Sequence, residues 1–205
     1  MSLIIFTDLD GTLLDHETYS WTPALPALNE LKRLDVPLIM ASSKTAAEIA
    51  PLRAKAGFAH CPAIVENGAG ILPPGDYCDD HDVAPYRAIR ETLGQVPEEL
   101  RASFKGFGDM PVEEIAVSTG LPVEGAALAA RRAFSEPGIW SGPDNERDIF
   151  INELERLGIT ARYGGRYLTL SFGGTKAGRI DEITQTLGLT NPFSVALGDA
   201  PNDVE

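Results

Sequence analysis

The sequence predicts an α/β fold in which a core of parallel β-strands and helices is interrupted by an inserted α+β unit. Three observations carry this. Four short apolar runs, Leu3–Phe6, Pro37–Ala41, Ala63–Val65 and Phe193–Leu197, each end in a polar cluster. Helix-length segments separate successive core runs, which is the spacing of βαβ units whose strands are buried on both faces. From about Gly70 that rhythm is lost, over a span large enough for a small second unit, and it resumes after Gly173. The expected organisation is a core formed by residues 1–72 and 173–205 and an insert formed by residues 73–172.

The first run ends in Asp8-Leu9-Asp10-Gly11-Thr12, where Gly11 supplies a turn between two carboxylates. Leu25, Leu28, Leu31 and Leu34 then recur at a spacing of three and are expected to form one helix face, with Pro23 and Pro26 at its start. The second run ends at Ser42-Ser43-Lys44-Thr45, and the helix that follows, Ala46 to Ala56, closes at Gly57. The third ends at Glu66-Asn67-Gly68. In the insert, Pro111-Val112 opens a short helix ending near Gly120. Pro122 opens a longer one over Val123–Phe134, with Arg131 and Arg132 placed favourably near its carboxyl end and Ser135-Glu136-Pro137-Gly138 stopping it. A further helix spans about Asp144 to Leu157, with Phe150, Leu154 and Leu157 on one face. Ile159–Tyr163 and Tyr167–Phe172 alternate as two strands joined by a Gly164-Gly165 hairpin loop. After Gly173-Gly174-Thr175-Lys176, Ile180, Ile183 and Leu187 define a last helix face ending at Gly188. The fourth apolar run then leads into Gly198-Asp199-Ala200-Pro201-Asn202-Asp203.

Composition narrows the function. The 205 residues carry 30 acidic against 17 basic side chains, a net charge of -13, so nucleic acid and anionic membranes would be repelled. An anionic small molecule would need local lysine, arginine or a metal ion to be held. Cys61 and Cys78 form no CxxC pair, and His16, His60 and His81 are scattered, which suits a reducing compartment and gives no zinc pattern. No basic-then-apolar leader opens the sequence and no apolar run reaches membrane-spanning length, so a cytoplasmic protein is expected.

In a parallel sheet, ligands bind beyond the carboxyl ends of the strands, and the polar clusters at 8–12, 42–45 and 66–68 all fall there. Asp8 and Asp10 are costly to bury without a positive partner, and Mg2+ accepts hard oxygen ligands of this kind. Asp199 and Asp203 follow the same grammar of apolar strand, glycine and carboxylates, so up to four carboxylates are expected to converge around a divalent cation. Ser42 can either cap the next helix or donate its hydroxyl to a phosphate. Lys176, in the first turn of a helix where a cation is slightly unfavourable, reads as placed there for an anionic ligand, although a solvated side chain would look the same.

The ordered set Asp8-Leu9-Asp10-Gly11-Thr12, Ser42, Lys176 and Gly198-Asp199 through Asn202-Asp203 resembles the four motifs of the haloacid dehalogenase (HAD) superfamily of phosphatases. The short interval between Asp10 and Ser42 leaves no room for a cap there, and the insert before Lys176 resembles the Cof-type (IIB) subgroup: a Rossmann-like parallel sheet core with an inserted α/β cap domain. Within it the chain is similar to the family of mannosyl-3-phosphoglycerate phosphatases over nearly its whole length. Asp8 to Trp21, Ser42-Ser43-Lys44-Thr45, Glu66-Asn67-Gly68-Ala69, Gly106-Phe107-Gly108-Asp109-Met110, Thr119-Gly120-Leu121, Arg131 through Pro137 and Gly164-Gly165-Arg166-Tyr167 carry the likeness.

That resemblance implies a Mg2+-dependent phosphoric monoester hydrolase acting on a phosphorylated sugar derivative through an aspartyl-phosphate. Asp8 would be the nucleophile and Asp10 the general acid and base. Mg2+ would be held by Asp8, Asp10 through its backbone carbonyl, and Asp199, with Asp203 orienting a bound water. Ser42 and Lys176 would bind the phosphate. Ser43, Lys44, Asn67 and Gly68 would line the floor, Arg131, Arg132 and Arg166 would meet anionic groups and Glu136 the sugar hydroxyls. Other readings are a general Cof-type sugar-phosphate phosphatase, a non-catalytic metal and sugar-phosphate binding module, and a phosphomutase, whose cap position differs. Family members continue past the last motif with a further strand and helices, so either the sequence is a fragment or the metal site around Gly198 to Glu205 is loosely built.

Overall fold

A computed structural model describes residues 2–15, 17–78, 82–189 and 192–199, and the chain divides into two compact units, Met1–Cys78 with Gly174–Glu205, and Asp79–Gly173. In chain order the elements of the first are β1 (Leu3–Thr7), α1 (Leu25–Arg33), β2 (Leu38–Ala41), α2 (Ala46–Ala56), β3 (Ala63–Val65) and β4 (Gly70–Leu72). Those of the second are α3 (Ala84–Leu93), α4 (Glu98–Arg101), β5 (Phe104–Gly106), α5 (Val112–Thr119), α6 (Val123–Ala129), β6 (Ser135–Trp140), α7 (Asp144–Arg156), β7 (Thr160–Gly164) and β8 (Tyr167–Ser171). The first unit is completed by α8 (Lys176–Thr186) and β9 (Phe193–Leu197). Among the described residues no helix is long and apolar enough to cross a membrane.

The core sheet has the order β4-β3-β2-β1-β9. Every residue of β2 and β3 is buried, as expected of strands covered on both faces. Four strands run parallel, with Thr7 opposite Met40 on one side and Leu197 on the other. This register brings the ends of β1, β2 and β9 to one edge. The fifth strand departs from the all-parallel expectation: β4 pairs antiparallel with β3, Val65 opposite Gly70. Glu66, Asn67 and Gly68 all take positive φ (53°, 57° and 90°), and this reversal folds the chain straight back along β3.

The helix α2 follows its sequence signals closely. Thr45 caps it, accepting from the Glu48 N–H while the Glu48 carboxylate accepts from the Thr45 N–H, and Gly57 ends it in the left-handed conformation. In α1, by contrast, the leucines do not share a face. Only Leu28 is buried, while Leu25 and Leu34 are exposed. A spacing of three on a helix of 3.6 residues per turn drifts by about 60° per step, which carries Leu34 to roughly the opposite side from Leu25.

The inserted unit has an antiparallel sheet of order β5-β6-β8-β7. Ile89 and Leu93 of α3, Phe104 of β5, Phe150 and Leu154 of α7 and Leu168 and Leu170 of β8 form its main buried cluster. Two sequence expectations need correction here. The helix expected over Val123–Phe134 ends at Ala129, and the segment read as its stop, Ser135–Trp140, is the strand β6, paired on both sides by β5 and β8. Ser135 to Gly138 are all buried, so tertiary pairing overrides the turn-like Pro-Gly composition. The hairpin loop is Gly165-Arg166 rather than Gly164-Gly165, because Gly164 still pairs with Tyr167 and the positive φ is taken by Gly165.

Candidate active site

Asp8 leaves β1 with its N–H donating to the Leu197 carbonyl of β9 at 2.9 Å. The chain then turns, Gly11 at φ 79° and Leu14 N–H returning to the Leu9 carbonyl at 2.7 Å. The turn lets Asp8 and Asp10 address different partners. Lys176 donates to Asp8 Oδ1 at 2.7 Å, with both side chains nearly buried. Lys44 pairs with Asp10 Oδ2 at 2.8 Å and lies 5.6 Å from the centroid of the Tyr19 ring. Burial acts to lower the pKa of the Lys44 ammonium, but the hydrogen bond and charge of Asp10, with Glu48 and Tyr19 adding to them, outweigh it and leave the pKa raised. Each aspartate of the pair thus has its own lysine.

Ser42 ends the buried β2 and is 1% exposed. Because Thr45 is the cap of α2, Ser42 is not needed for that task, and its Oγ accepts from the Lys44 N–H at 3.3 Å. Ser43 beside it is exposed. The turn after β3 reaches across to this loop, Asn67 N–H donating to the Ser42 carbonyl at 2.9 Å and Glu66 N–H to the Lys44 carbonyl at 3.0 Å. On its other side Gly68 meets the start of α8 so closely that a Cβ there would overlap the Thr175 carbonyl. Thr175 caps α8, accepting from the Gly178 N–H, and so places Lys176 in its first turn.

Asp199, just after β9, lies with its carboxylate over Gly11, where a Cβ would collide with Asp199 Oδ2. Asp203 lies outside the described residues. Among the described residues no three His, Cys, Asp or Glu side chains converge tightly enough to hold a metal ion as a cluster. Among the described residues, Asp8 and Asp10 are each paired with a lysine and Asp199 lies beside their turn. A hard cation still fits this edge. Carboxylates of adjacent strands flank Gly11, and Asp10 Oδ1, Thr12 Oγ1 and Asn67 Oδ1 are buried oxygens with no hydrogen-bond partner among the described residues.

Within the inserted unit, Glu136 is wholly buried on β6 rather than presented at a surface. Its Oε1 accepts from Arg90 at 2.7 Å and from the Gly108 N–H at 2.9 Å. Burial raises its pKa despite the opposing Arg90 charge, the Gly108 N–H and the Tyr86 hydroxyl. Arg90 also donates to Asp109 at 2.6 Å, and Asp109 accepts in addition from Arg101 at 2.7 Å and from the Gly106 N–H at 2.9 Å. Arg132 is buried and donates to Ser135 Oγ at 2.8 Å, and Arg131 is half-buried. Arg166, exposed in the β7–β8 loop, donates to the Ser118 carbonyl at 2.7 Å and stacks at 5.8 Å on Tyr167. Sequence reasoning missed Arg90, Arg101 and Asp109 as a linked set. They lie on α3, α4 and the turn after β5, and no local pattern joins them.

A carboxylate held by a lysine at the carboxyl edge of a parallel sheet, with a second lysine-paired carboxylate two residues on, can present a nucleophile and a proton carrier to one oxyanion; these are the parts of a phosphoryl-transferring hydrolase. The chain belongs to the haloacid dehalogenase-like hydrolases. The sequence profile of that family matches residues 5–101. A glucosyl-3-phosphoglycerate/mannosyl-3-phosphoglycerate phosphatase of Persephonella marina is 38% identical over 98% of this chain and 80% of its own length. One of the same name from Methanococcoides burtonii is 34% identical over 100% of this chain and 80% of its own. Among solved structures, a HAD superfamily phosphatase from Bacteroides thetaiotaomicron superposes with a TM-score of 0.69 at 19% identity, covering 100% of this chain and 80% of that one. The chain is an enzyme of the phosphoric monoester hydrolase class.

Proposed function

We propose that this enzyme hydrolyses mannosyl-3-phosphoglycerate or glucosyl-3-phosphoglycerate to the glycosylglycerate and phosphate. The substrate class is suggested by the names of the two full-length relatives. The observation that carries the chemistry is the Lys176–Asp8 pair at 2.7 Å, which fixes the nucleophile and sets a cation where phosphoryl oxygens must arrive.

Asp8 attacks phosphorus, forming a carboxyl–phosphorus bond as the bond to the glycerate oxygen breaks, and Asp10 gives that leaving oxygen a proton. Water then attacks the aspartyl-phosphate, Asp10 takes the proton from it, and the Asp8–phosphorus bond breaks to release phosphate. Ser42 and Lys176 hold the phosphoryl oxygens through both steps. Lys44 orients Asp10. Mg2+, held by the Asp8 carboxylate, the Asp10 carbonyl and Asp199, with Asp203 orienting a water, would screen the dianionic phosphate from the carboxylates. Ser43, Asn67 and Gly68 line the floor. In the inserted unit Arg131, Arg132 and Arg166 favour the substrate's carboxylate. Glu136, the residue expected to meet the sugar hydroxyls, is buried and paired with Arg90.

Asp8→Asn tests the mechanism. It should abolish phosphate release and labelling by a radioactive phosphoryl group, and appreciable residual turnover would remove Asp8 as nucleophile. A substrate panel at fixed Mg2+ tests the specificity: simple sugar phosphates turned over as fast as glycosyl-3-phosphoglycerates would make it a general sugar-phosphate phosphatase, and binding without phosphate release would make it a binding module.

A further inference from the structure

Ser42 and Lys176, the two groups proposed above to hold the phosphate, come from opposite ends of the sequence, and what connects them is the turn after β3. On one side this turn is bonded to the Ser42 loop through the Asn67 and Glu66 N–H groups. On the other it meets the start of α8 by direct backbone contact. Gly68 has no Cβ to keep Thr175 away, and Gly174, at φ 101°, approaches the Gly68 carbonyl just as closely. Three consecutive residues in the left-handed region, two of them not glycine, will not hold such a turn unaided. The guanidinium of Arg179 adds to the bonds of Asn67 and Glu66. Its Nε donates to the Gly68 carbonyl at 2.9 Å and its Nη2 to the Ala69 carbonyl at 3.1 Å, while Nη1 faces outward to Glu182 at 2.7 Å.

We infer that Arg179 is a positioning residue for the phosphate site: its two-pronged bond to Gly68 and Ala69 sets the distance between Ser42 and Lys176. Arg179 sits one helical turn after Lys176, so pulling the turn toward α8 also fixes the helix start from which Lys176 reaches Asp8. The fork is suited to this because it meets two successive carbonyls at once from a rigid plane, which a lysine cannot do. Neither a charge effect on the phosphate nor a contact with it is required. The inference rests on the proposed reading of this edge as a phosphate site.

The test uses the whole chain with Mg2+ and inorganic phosphate as the probe. Arg179→Ala and Arg179→Lys should each weaken phosphate binding, measured by calorimetry, by about tenfold, and should lower kcat at least fivefold with a smaller change in KM, following the loss of a bidentate bond. Hydrogen exchange at the amides of 67–70 should quicken in both. Glu182→Gln, which removes only the outward pair, should leave binding and kcat within about twofold of the parent. Arg179→Lys is the safeguard should Arg179→Ala not fold, since it keeps the charge and the stem. Parent-like phosphate binding in Arg179→Lys, or unchanged exchange at 67–70, would overturn the inference. Failure of the phosphatase reading looks different: the parent itself would then release no phosphate, and the exchange measurement would still decide whether Arg179 holds the turn.

Discussion

The ammonium of Lys176 lies 2.7 Å from Oδ1 of Asp8, although 168 positions separate the two residues in the chain. The pair is nearly shielded from water, so its electrostatic effect is felt at short range and is little screened. Replacing Lys176 by Met should lower kcat by about a hundredfold or more, the usual consequence of removing one preorganised donor to a developing charge. Steady-state kinetics at saturating substrate check this; a kcat within tenfold of the parent would assign the phosphate charge to another group.

Gly68 combines φ 90° with a backbone contact that leaves no room for a methyl group. Gly68→Ala should therefore destabilise the protein by about 2 kcal/mol or more, through strain and overlap together. Urea unfolding measures it. A loss under about 0.5 kcal/mol would mean that the start of α8 can move away from the turn at little cost.

Asp109 of the inserted unit predicts a pH dependence. Burial alone would raise its pKa, but hydrogen bonds from Arg90, Arg101 and the Gly106 N–H hold it well below the ordinary 3.8. A carboxylate whose pKa is depressed by folding contributes stability that is present above the unfolded pKa and is lost as pH falls through the folded one. Stability should thus decline below about pH 4, where Asp109 takes up a proton in the unfolded chain but not yet in the folded one, and Asp109→Asn should flatten that part of the curve. Chemical unfolding between pH 2 and pH 5, compared for parent and variant, checks the sign; an equal acid slope in both would remove Asp109 as its source.

Arg53 is 1% exposed and donates to the carbonyls of Cys61, Pro73 and Gly75 at 2.7, 2.8 and 2.9 Å. Burial lowers its pKa, though the group remains a cation at any ordinary pH. Arg53→Leu would leave these carbonyls without their donor, at about 1–3 kcal/mol for each one that stays dry. A thermal melt should show a drop of at least several degrees, and a melt unchanged from the parent would mean that water replaces the guanidinium.

Local chemistry determined much of the first unit. The start of α2 after Ser42-Ser43-Lys44-Thr45 and its end at Gly57 were legible in the sequence, and in space the helix begins with the Thr45–Glu48 capping box and ends at a left-handed Gly57, because the interactions that end a helix lie within a few residues of one another. The strand ends carrying Asp8 and Ser42, and the helix start carrying Lys176, were legible for the same reason: apolar run, polar cluster and glycine are neighbours in the chain. Where a residue's partners are distant, the sequence was a poor guide. Ser135-Glu136-Pro137-Gly138 looks like a helix stop and is a buried strand, because β5 and β8 pair with it from either side. Glu136, expected from the sequence to meet sugar hydroxyls, is buried and bonded to Arg90, forty-six positions away.

What the sequence by itself determined, then, is the order of the site residues and the ends of strands on which they stand, since short-range patterning and turn chemistry specify both. Only the tertiary structure decided that Lys176 meets Asp8, that Lys44 meets Asp10, and that Arg179 ties the turn after β3 to α8. These contacts arise from parallel pairing of remote strands and from the packing of α8 on the turn after β3, and packing of that range leaves no periodic trace in the chain.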